Sequence, residues 1–229
     1  NRVYKKQKPV IKSCKMKKGK LIAIEGTDGS GKATQVKALV ERIRAMGIGV
    51  VSFSFPRYKT PTGRAIRDYL DGKFGEPTTL PAKLCSYLYA ADRLAAKPIL
   101  KYHLTCGEVV LCDRYVASNL AHQGAKLPKQ EREDFFKWVG DYEFSELKIP
   151  KPDLTICLHV PIELTRRALE KERREQDGHE KNADYQQQVY KTYLQLAKRV
   201  DWRLVECMKG ERRKSIEEVT EEIWIILHP

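Results

Sequence analysis

Glu25-Gly-Thr-Asp-Gly-Ser-Gly-Lys32 is the stretch that decides how this chain folds. Gly26 to Lys32 fits the glycine-rich loop in which backbone N–H groups and a helix N-terminus cradle phosphates while the lysine reaches the terminal ones. Alone, the G-x4-G-K string arises by chance in roughly one chain in fifteen of this length, with glycine at about 7% of residues. Context removes the ambiguity. Upstream, Lys20-Leu-Ile-Ala-Ile-Glu25 is a short apolar run that reads as a buried strand. Downstream, Val36, Leu39, Val40 and Ile43 recur at the spacing of an amphipathic helix that stops near Met46-Gly47. A plain glycine turn would leave Gly26, Gly29 and Gly31 unexplained.

Working outward, further strands are predicted at Val50–Phe55, Glu108–Cys112, Leu154–Val160 and Trp202–Val205. Helices are predicted at Leu80–Leu104, Arg132–Phe144, Ile162–Lys171, Tyr185–Arg199 and Ile216–Leu227. Such alternation implies an α/β fold, a five-stranded parallel sheet with helices on both faces, whose ligands bind at the carboxyl ends of the strands. Residues 19–229 read as a single P-loop kinase domain. The most polar window, Glu170 to Asp184, holds Arg173, Arg174, Asp177, Gly178 and Glu180 between two helices and reads as a short mobile lid at about 170–184.

Composition narrows the function classes. The chain has 229 residues, 41% of them hydrophobic, enough for a core without disulfide or metal staples. No apolar run reaches the 18 residues of a membrane span, so a soluble protein with no membrane partner is expected. Of the net charge of +13, nine units come from Arg2, Lys5, Lys6, Lys8, Lys12, Lys15, Lys17, Lys18 and Lys20, leaving +4 on the other 209 residues. That distribution speaks against nucleic acid and for a small anionic ligand. Residues 1–18 read as a basic leader, flexible or artificially appended, without the apolar core of a signal peptide. The six cysteines contain no CxxC pair and read as reduced, buried thiols of a cytoplasmic protein.

Ala33 follows Lys32 where the loop usually carries the Ser or Thr hydroxyl that binds magnesium. Thr34 stands one residue on. Magnesium must then rely on nucleotide oxygens, water and the carboxylates of Asp28 and Asp113. The third strand ends in Leu111-Cys-Asp-Arg-Tyr115, which brings Asp113 and Arg114 to the carboxyl edge. The second ends in Phe55-Pro-Arg57. Arg57 and Arg114 thus point from two edges toward one crevice, as a second, acceptor phosphate would require.

These residues resemble the thymidylate kinases of the P-loop nucleoside monophosphate kinase group, from about Gly19 to the C-terminus. The resemblance rests on Glu25–Lys32, Phe55-Pro-Arg57 with Thr60-Pro-Thr-Gly63, Tyr89-Ala-Ala-Asp-Arg93, Asp113-Arg-Tyr115 with Ser118-Asn119, and Pro152-Asp-Leu-Thr155. Asp177-Gly-His-Glu180 with Arg173 and Arg174, and glycine rather than arginine at Gly29, look like the bacterial-type lid arrangement.

The resemblance implies transfer of the γ-phosphoryl of ATP, with magnesium, to dTMP in dTTP synthesis, by a cytoplasmic homodimer. It implies ATP binding by Gly26, Asp28, Gly29, Ser30, Gly31, Lys32, Ala33 and Thr34. It implies dTMP binding by Asp28, Phe55, Arg57, Tyr89, Arg93, Arg114, Ser118, Asn119, His122 and Tyr185. Lys32, Arg57, Arg114, Asp28, Arg173 and Arg174 carry the chemistry in this reading. Tyr89 stacks on the base, Arg93 reaches its edge, and His122 stands near the sugar where the family usually has Tyr or Phe. His159 receives no role. Competing readings are a kinase of another nucleoside monophosphate or deoxynucleoside, a nucleotide switch, which the missing Asn-Lys-x-Asp string opposes, and a nucleic-acid-associated ATPase.

Overall fold

The computed structural model describes residues 18–171 and 177–227. In chain order its elements are β1 (Lys20–Glu25), α1 (Lys32–Ala45), β2 (Val50–Ser54), α2 (Pro61–Leu70), α3 (Ala82–Thr105), β3 (Val109–Asp113) and α4 (Val116–Gly124). They continue with α5 (Arg132–Gly140), β4 (Leu154–His159), α6 (Ile162–Lys171), α7 (Ala183–Leu196), β5 (Trp202–Glu206), β6 (Met208–Lys209), β7 (Arg212–Arg213) and α8 (Ile216–Leu227). The first five strands form one sheet in the order β2-β3-β1-β4-β5, every pairing parallel. The fold class matches the sequence reading.

Alternate residues of a strand face opposite sides, and here both sides are covered. Leu21, Ala23, Val110, Cys112, Cys157 and Trp202 pack beneath α3, α4, α5 and α7. Ile22, Ile24, Leu111, Ile156 and Val205 pack against α1 and α8. Ile24, Leu39, Leu111 and Ile156 are fully buried, each worth about 1.5–3 kcal/mol relative to exposure. The register Ile24↔Asp113↔Ser54 aligns the three strand ends, so Glu25, Arg114 and Phe55 emerge side by side.

Four differences from the sequence reading have physical causes. Helix α2 is absent from the sequence reading: Thr60 caps it, Oγ1 accepting from Gly63 N–H at 3.2 Å, and Pro61 occupies its first turn. Helix α4 was also not foreseen, and it follows directly on the third strand's Asp-Arg-Tyr ending. The helix expected over Arg132–Phe144 ends at Gly140 and widens into a π-helical turn, Asp141–Glu146, which turns Glu143 fully inward. Four of the cysteines are buried as expected, but Cys106, at the end of α3, is exposed. Of the leader, all but Lys18 lies outside the described residues, as do Arg173 and Arg174.

Candidate active site

The loop between β1 and α1 is bent by left-handed backbone at Gly29 (φ 77°) and Gly31 (φ 97°). A Cβ at Gly29 would stand 2.6 Å from Thr165 O, so only glycine passes under α6. Lys32 opens α1 in a buried position, its Nζ donating to Thr27 O at 2.8 Å. Burial, and then Arg114, pull its ammonium down to about 8. Ser30 Oγ is buried with no partner among the described residues. Gly29, Gly31, Lys32, Ala33, Thr34, Asp113 and Arg213 line an open chamber of about 650 Å³. No acid sits in the first turn of α1 to oppose an anion at its N-terminus.

A second, narrower chamber adjoins it. Its walls include Tyr89 and Arg93 from α3, Ser118, Asn119, His122 and Gln123 from α4, Phe55 after β2, and His179. Asp28, Phe55, Pro56, Tyr58, Arg114 and Asp177 line both chambers and form the seam. At its centre, Arg114 adopts φ 65°, uncommon outside glycine, and is fixed by its N–H to Ile24 O at 3.0 Å. Its guanidinium donates to Asp28, to Ser118 Oγ at 2.9 Å, to Tyr193 OH at 3.2 Å and to His122 Nε2 at 3.3 Å. Burial alone would raise the Asp28 carboxyl, but Arg114 and Lys32 hold it well below the usual carboxylate range. Burial, reinforced by Arg114, keeps His122 neutral, so Nε2 accepts and the proton sits on Nδ1. Asp177 is pushed up to about 6 by burial and by Glu180.

The walls of the narrow chamber are held by buried pairs. Glu143, in the π-helical turn, accepts both Arg93 Nε and Nη2 at 2.6 Å. The same carboxylate accepts Asn119 Nδ2 at 3.0 Å, and because a carboxylate only accepts, this orients the amide with Oδ1 away from it. Asn119 Oδ1 and both polar atoms of the Gln123 carboxamide are buried without a partner among the described residues. Three orphaned amide atoms in one chamber mark a site that a ligand's own donors and acceptors complete. Glu25, fully buried, accepts Tyr115 N at 2.7 Å, Ser118 Oγ at 2.6 Å and Tyr193 OH at 3.0 Å, anchoring the turn that carries Arg114.

Most of the expected site residues come together here; among the described residues, Gly26 and Ser30 belong to the loop without lining either chamber, and Arg57 and Tyr185 are turned elsewhere. Arg57 lines neither chamber: its backbone N–H, Nε and Nη2 all bind Asp92, at 2.8, 3.0 and 2.8 Å. Tyr185 stands behind the wall, donating its OH to His122 O at 2.8 Å. Of the window expected to be a lid, the described part is anchored: His179 is buried, hydrogen-bonded to Tyr69 OH at 2.9 Å, and Gly178 N donates to Leu70 O. His159 lies between Glu206 (2.6 Å) and Tyr190 OH (2.8 Å), tying β4 to β5 and α7 outside both chambers. Gln123, Glu143, Tyr193 and Arg213 belong to no motif of the sequence reading, and Glu25 and Asp92 stand in quoted motifs without a site role of their own. For Gln123 a signal existed: it lies one helical turn past Asn119.

Asp28 and Asp113 are hard oxygen donors suited to magnesium, yet Asp28 is engaged by Arg114, and among the described residues no three His, Cys, Asp or Glu groups gather to hold a metal. A magnesium ion arriving with a nucleotide would therefore take most of its oxygens from phosphate and water, consistent with Ala33.

A phosphate loop at one strand end and a second chamber sharing a half-buried arginine with it define a P-loop kinase of small nucleotides. The thymidylate kinase family model matches residues 24–223. The chain is 36% identical over 183 residues to the thymidylate kinase of Mycobacterium tuberculosis, covering 77% of this chain and 85% of that one. It is 30% identical over 215 residues to the thymidylate kinase of Homo sapiens, covering 92% and 90%. Among solved structures, the thymidylate kinase of Candida albicans superposes with a TM-score of 0.69 at 28% identity, covering 92% and 91%. The chain belongs to the thymidylate kinase family. With membership goes the activity: transfer of the γ-phosphoryl of ATP, with Mg2+, to dTMP in dTTP synthesis.

Proposed function

We propose that the open chamber receives ATP, that the narrow chamber receives dTMP with its phosphate at the seam, and that Arg114 serves both. The observation that carries this is the set of orphaned amide atoms on Asn119 and Gln123. Thymine presents an imide N–H flanked by carbonyls. Asn119 Oδ1, its amino group spent on Glu143, remains only an acceptor for that N–H, and the Gln123 carboxamide supplies a donor and an acceptor beside it. Tyr89 and Phe55 offer ring surface to the base. Lys32, the loop amides and the start of α1 hold the donor phosphates. Charge redistributing during transfer falls between Lys32 and Arg114, and alignment with charge stabilisation is most of what phosphoryl transfer needs. Arg57 acts through Asp92, keeping the turn before α2 against α3.

The finer features rest on smaller supports. The bacterial-type lid, with Arg173 or Arg174 on the transferring group, rests on the sequence of residues 173–180. A homodimer is supported by the exposed face of α3, where Leu84, Tyr87, Leu94 and Tyr102 recur at helical spacing. A cytoplasmic setting fits the free cysteines at 85, 106, 112, 157 and 207. ADP release measured with ATP and each acceptor in turn tests the central assignment: turnover should require dTMP, and equal turnover of all pyrimidine monophosphates would refute it.

A further inference from the structure

The segment between β5 and α8 is a small hairpin, with Met208 paired to Arg213 and Lys209 to Arg212 across a left-handed Gly210. It carries three consecutive cations. Arg212 forks Glu218 with two bonds of 2.8 Å, and Lys214 Nζ binds Glu222 and Glu206 O at 2.6 Å, so both fasten the hairpin to its surroundings. Arg213, between them in extended chain, takes the opposite side. Its Nη2 donates to Gly29 O at 3.1 Å and Ser30 O at 2.9 Å, across a sequence separation of 184 for the first. Nε and Nη1 have no partner among the described residues. A Cβ at Gly31 would stand 3.3 Å from Nη2, so the glycine leaves the guanidinium room at the mouth of the loop.

Two consequences follow for an anionic occupant. A carbonyl held in place fixes its planar peptide, and with it the direction of the following N–H. Arg213 thus sets the peptide planes of the Ser30 N–H, which donates to Thr27 O at 3.2 Å and closes the loop, and of the Gly31 N–H that follows it. It also changes the local charge: the chamber is lined by Lys32, Arg67, Arg114 and Arg213 against Asp28, Asp113, Asp177 and Glu180, and loss of Arg213 leaves acids in excess where a polyphosphate must sit.

We propose that Arg213 is a positioning residue of the donor site, shaping the phosphate loop and adding charge for the donor's polyphosphate chain. This rests on the assignment of the open chamber to ATP. Because it concerns phosphates rather than the base, ATP and inorganic tripolyphosphate should respond alike.

The test uses the full chain and its Arg213→Met, Arg213→Lys and Lys32→Met variants, with calorimetric Kd values for ATP and tripolyphosphate, steady-state constants and melting temperatures. Arg213→Met should raise Kd for both ligands and KM for ATP about tenfold, with KM for dTMP and the melting temperature unchanged. Arg213→Lys should recover part of the loss. Unchanged ATP binding in Arg213→Met, with binding weakened in Lys32→Met, overturns the role of Arg213 and leaves the donor chamber standing. If neither variant weakens ATP binding, the chamber assignment fails. A joint loss of ATP binding, dTMP binding and melting temperature would make Arg213 merely structural and overturn the proposal.

Discussion

The two chambers that meet at Arg114 are built by opposite means. The side proposed for the donor is centred on one glycine loop and the start of α1, contiguous in sequence, with Lys32 rooted in the loop it serves and distant side chains such as Arg67 and Arg213 completing the rim. The acceptor side is mostly side chains, fixed by buried pairs between distant positions such as Arg93–Glu143, 50 residues apart, and Tyr193–Glu25, 168 apart. A backbone cradle suits any polyphosphate, because all share the same oxygens. In the proposed assignment, a side-chain chamber whose orphaned atoms match one base edge carries the selectivity. Grip and choice therefore reside in different parts of the molecule, and substitutions should separate them.

The largest expected effect is on stability at the acceptor wall. Glu143→Gln leaves the Arg93 guanidinium buried without its carboxylate, and breaking such a pair costs about 3–5 kcal/mol. Urea unfolding measures it. A loss below about 1 kcal/mol, the range of exposed pairs, would mean that the wall is not held by this contact.

At the seam, Arg114→Met should lower kcat about 100- to 1000-fold, the scale of removing one positioned donor to a transition state, with a smaller change in the Kd for ATP. An effect confined to the KM for dTMP would make Arg114 an acceptor ligand only. Gln123→Leu sharpens the comparison further. It removes two buried polar atoms that lack partners, so the free protein should keep or gain stability. It should also lose about tenfold or more in kcat/KM for dTMP, and KM for ATP should not move. Parallel losses in both substrates would place Gln123 outside base recognition.

The smallest effect concerns pH. Burial and Arg114 bring Lys32 to about 8 in the free protein, so its charge is lost as pH rises through that value, and attraction for phosphate falls with it. The kcat/KM for ATP should decline above about pH 8, since that quantity reports groups of the free enzyme. The kcat/KM for dTMP at saturating ATP should lack this limb, because bound phosphates hold the proton on Lys32. A common limb in both profiles would assign the titration elsewhere.

The same contrast explains what the sequence revealed. The sheet, its strand ends and the phosphate loop follow from apolar periodicity and glycine spacing, signals that span fewer than twenty residues. The partners that fix the acceptor chamber carry no local mark. Glu143 is one acid in a polar-apolar helix pattern until the π-helical turn rotates it inward. Asp92 beside Arg93 reads as half of a solvated ion pair, yet it is buried and holds Arg57. Arg93 itself reads as a base-reading donor awaiting an acceptor, whereas Glu143 already occupies two of its nitrogens. In the proposed assignment, rejection of cytosine falls to Asn119 rather than to an unpaired arginine. Arg213 is hidden for the same reason, because only the folded hairpin places it over Gly31.

Relative kcat/KM for dTMP, dUMP and dCMP, read as ADP release, tests most directly the claim that a fixed acceptor on Asn119 selects the base. Uracil keeps the imide N–H and lacks only the methyl, worth about 1–3 kcal/mol, so dUMP should be a poor but real substrate. Cytosine turns a lone pair toward Asn119 Oδ1, leaving two acceptors face to face, a mismatch of about 1–3 kcal/mol added to the missing methyl. The predicted order is dTMP above dUMP above dCMP, with dCMP at least about tenfold below dUMP. Turnover of dCMP equal to or above that of dUMP would contradict it.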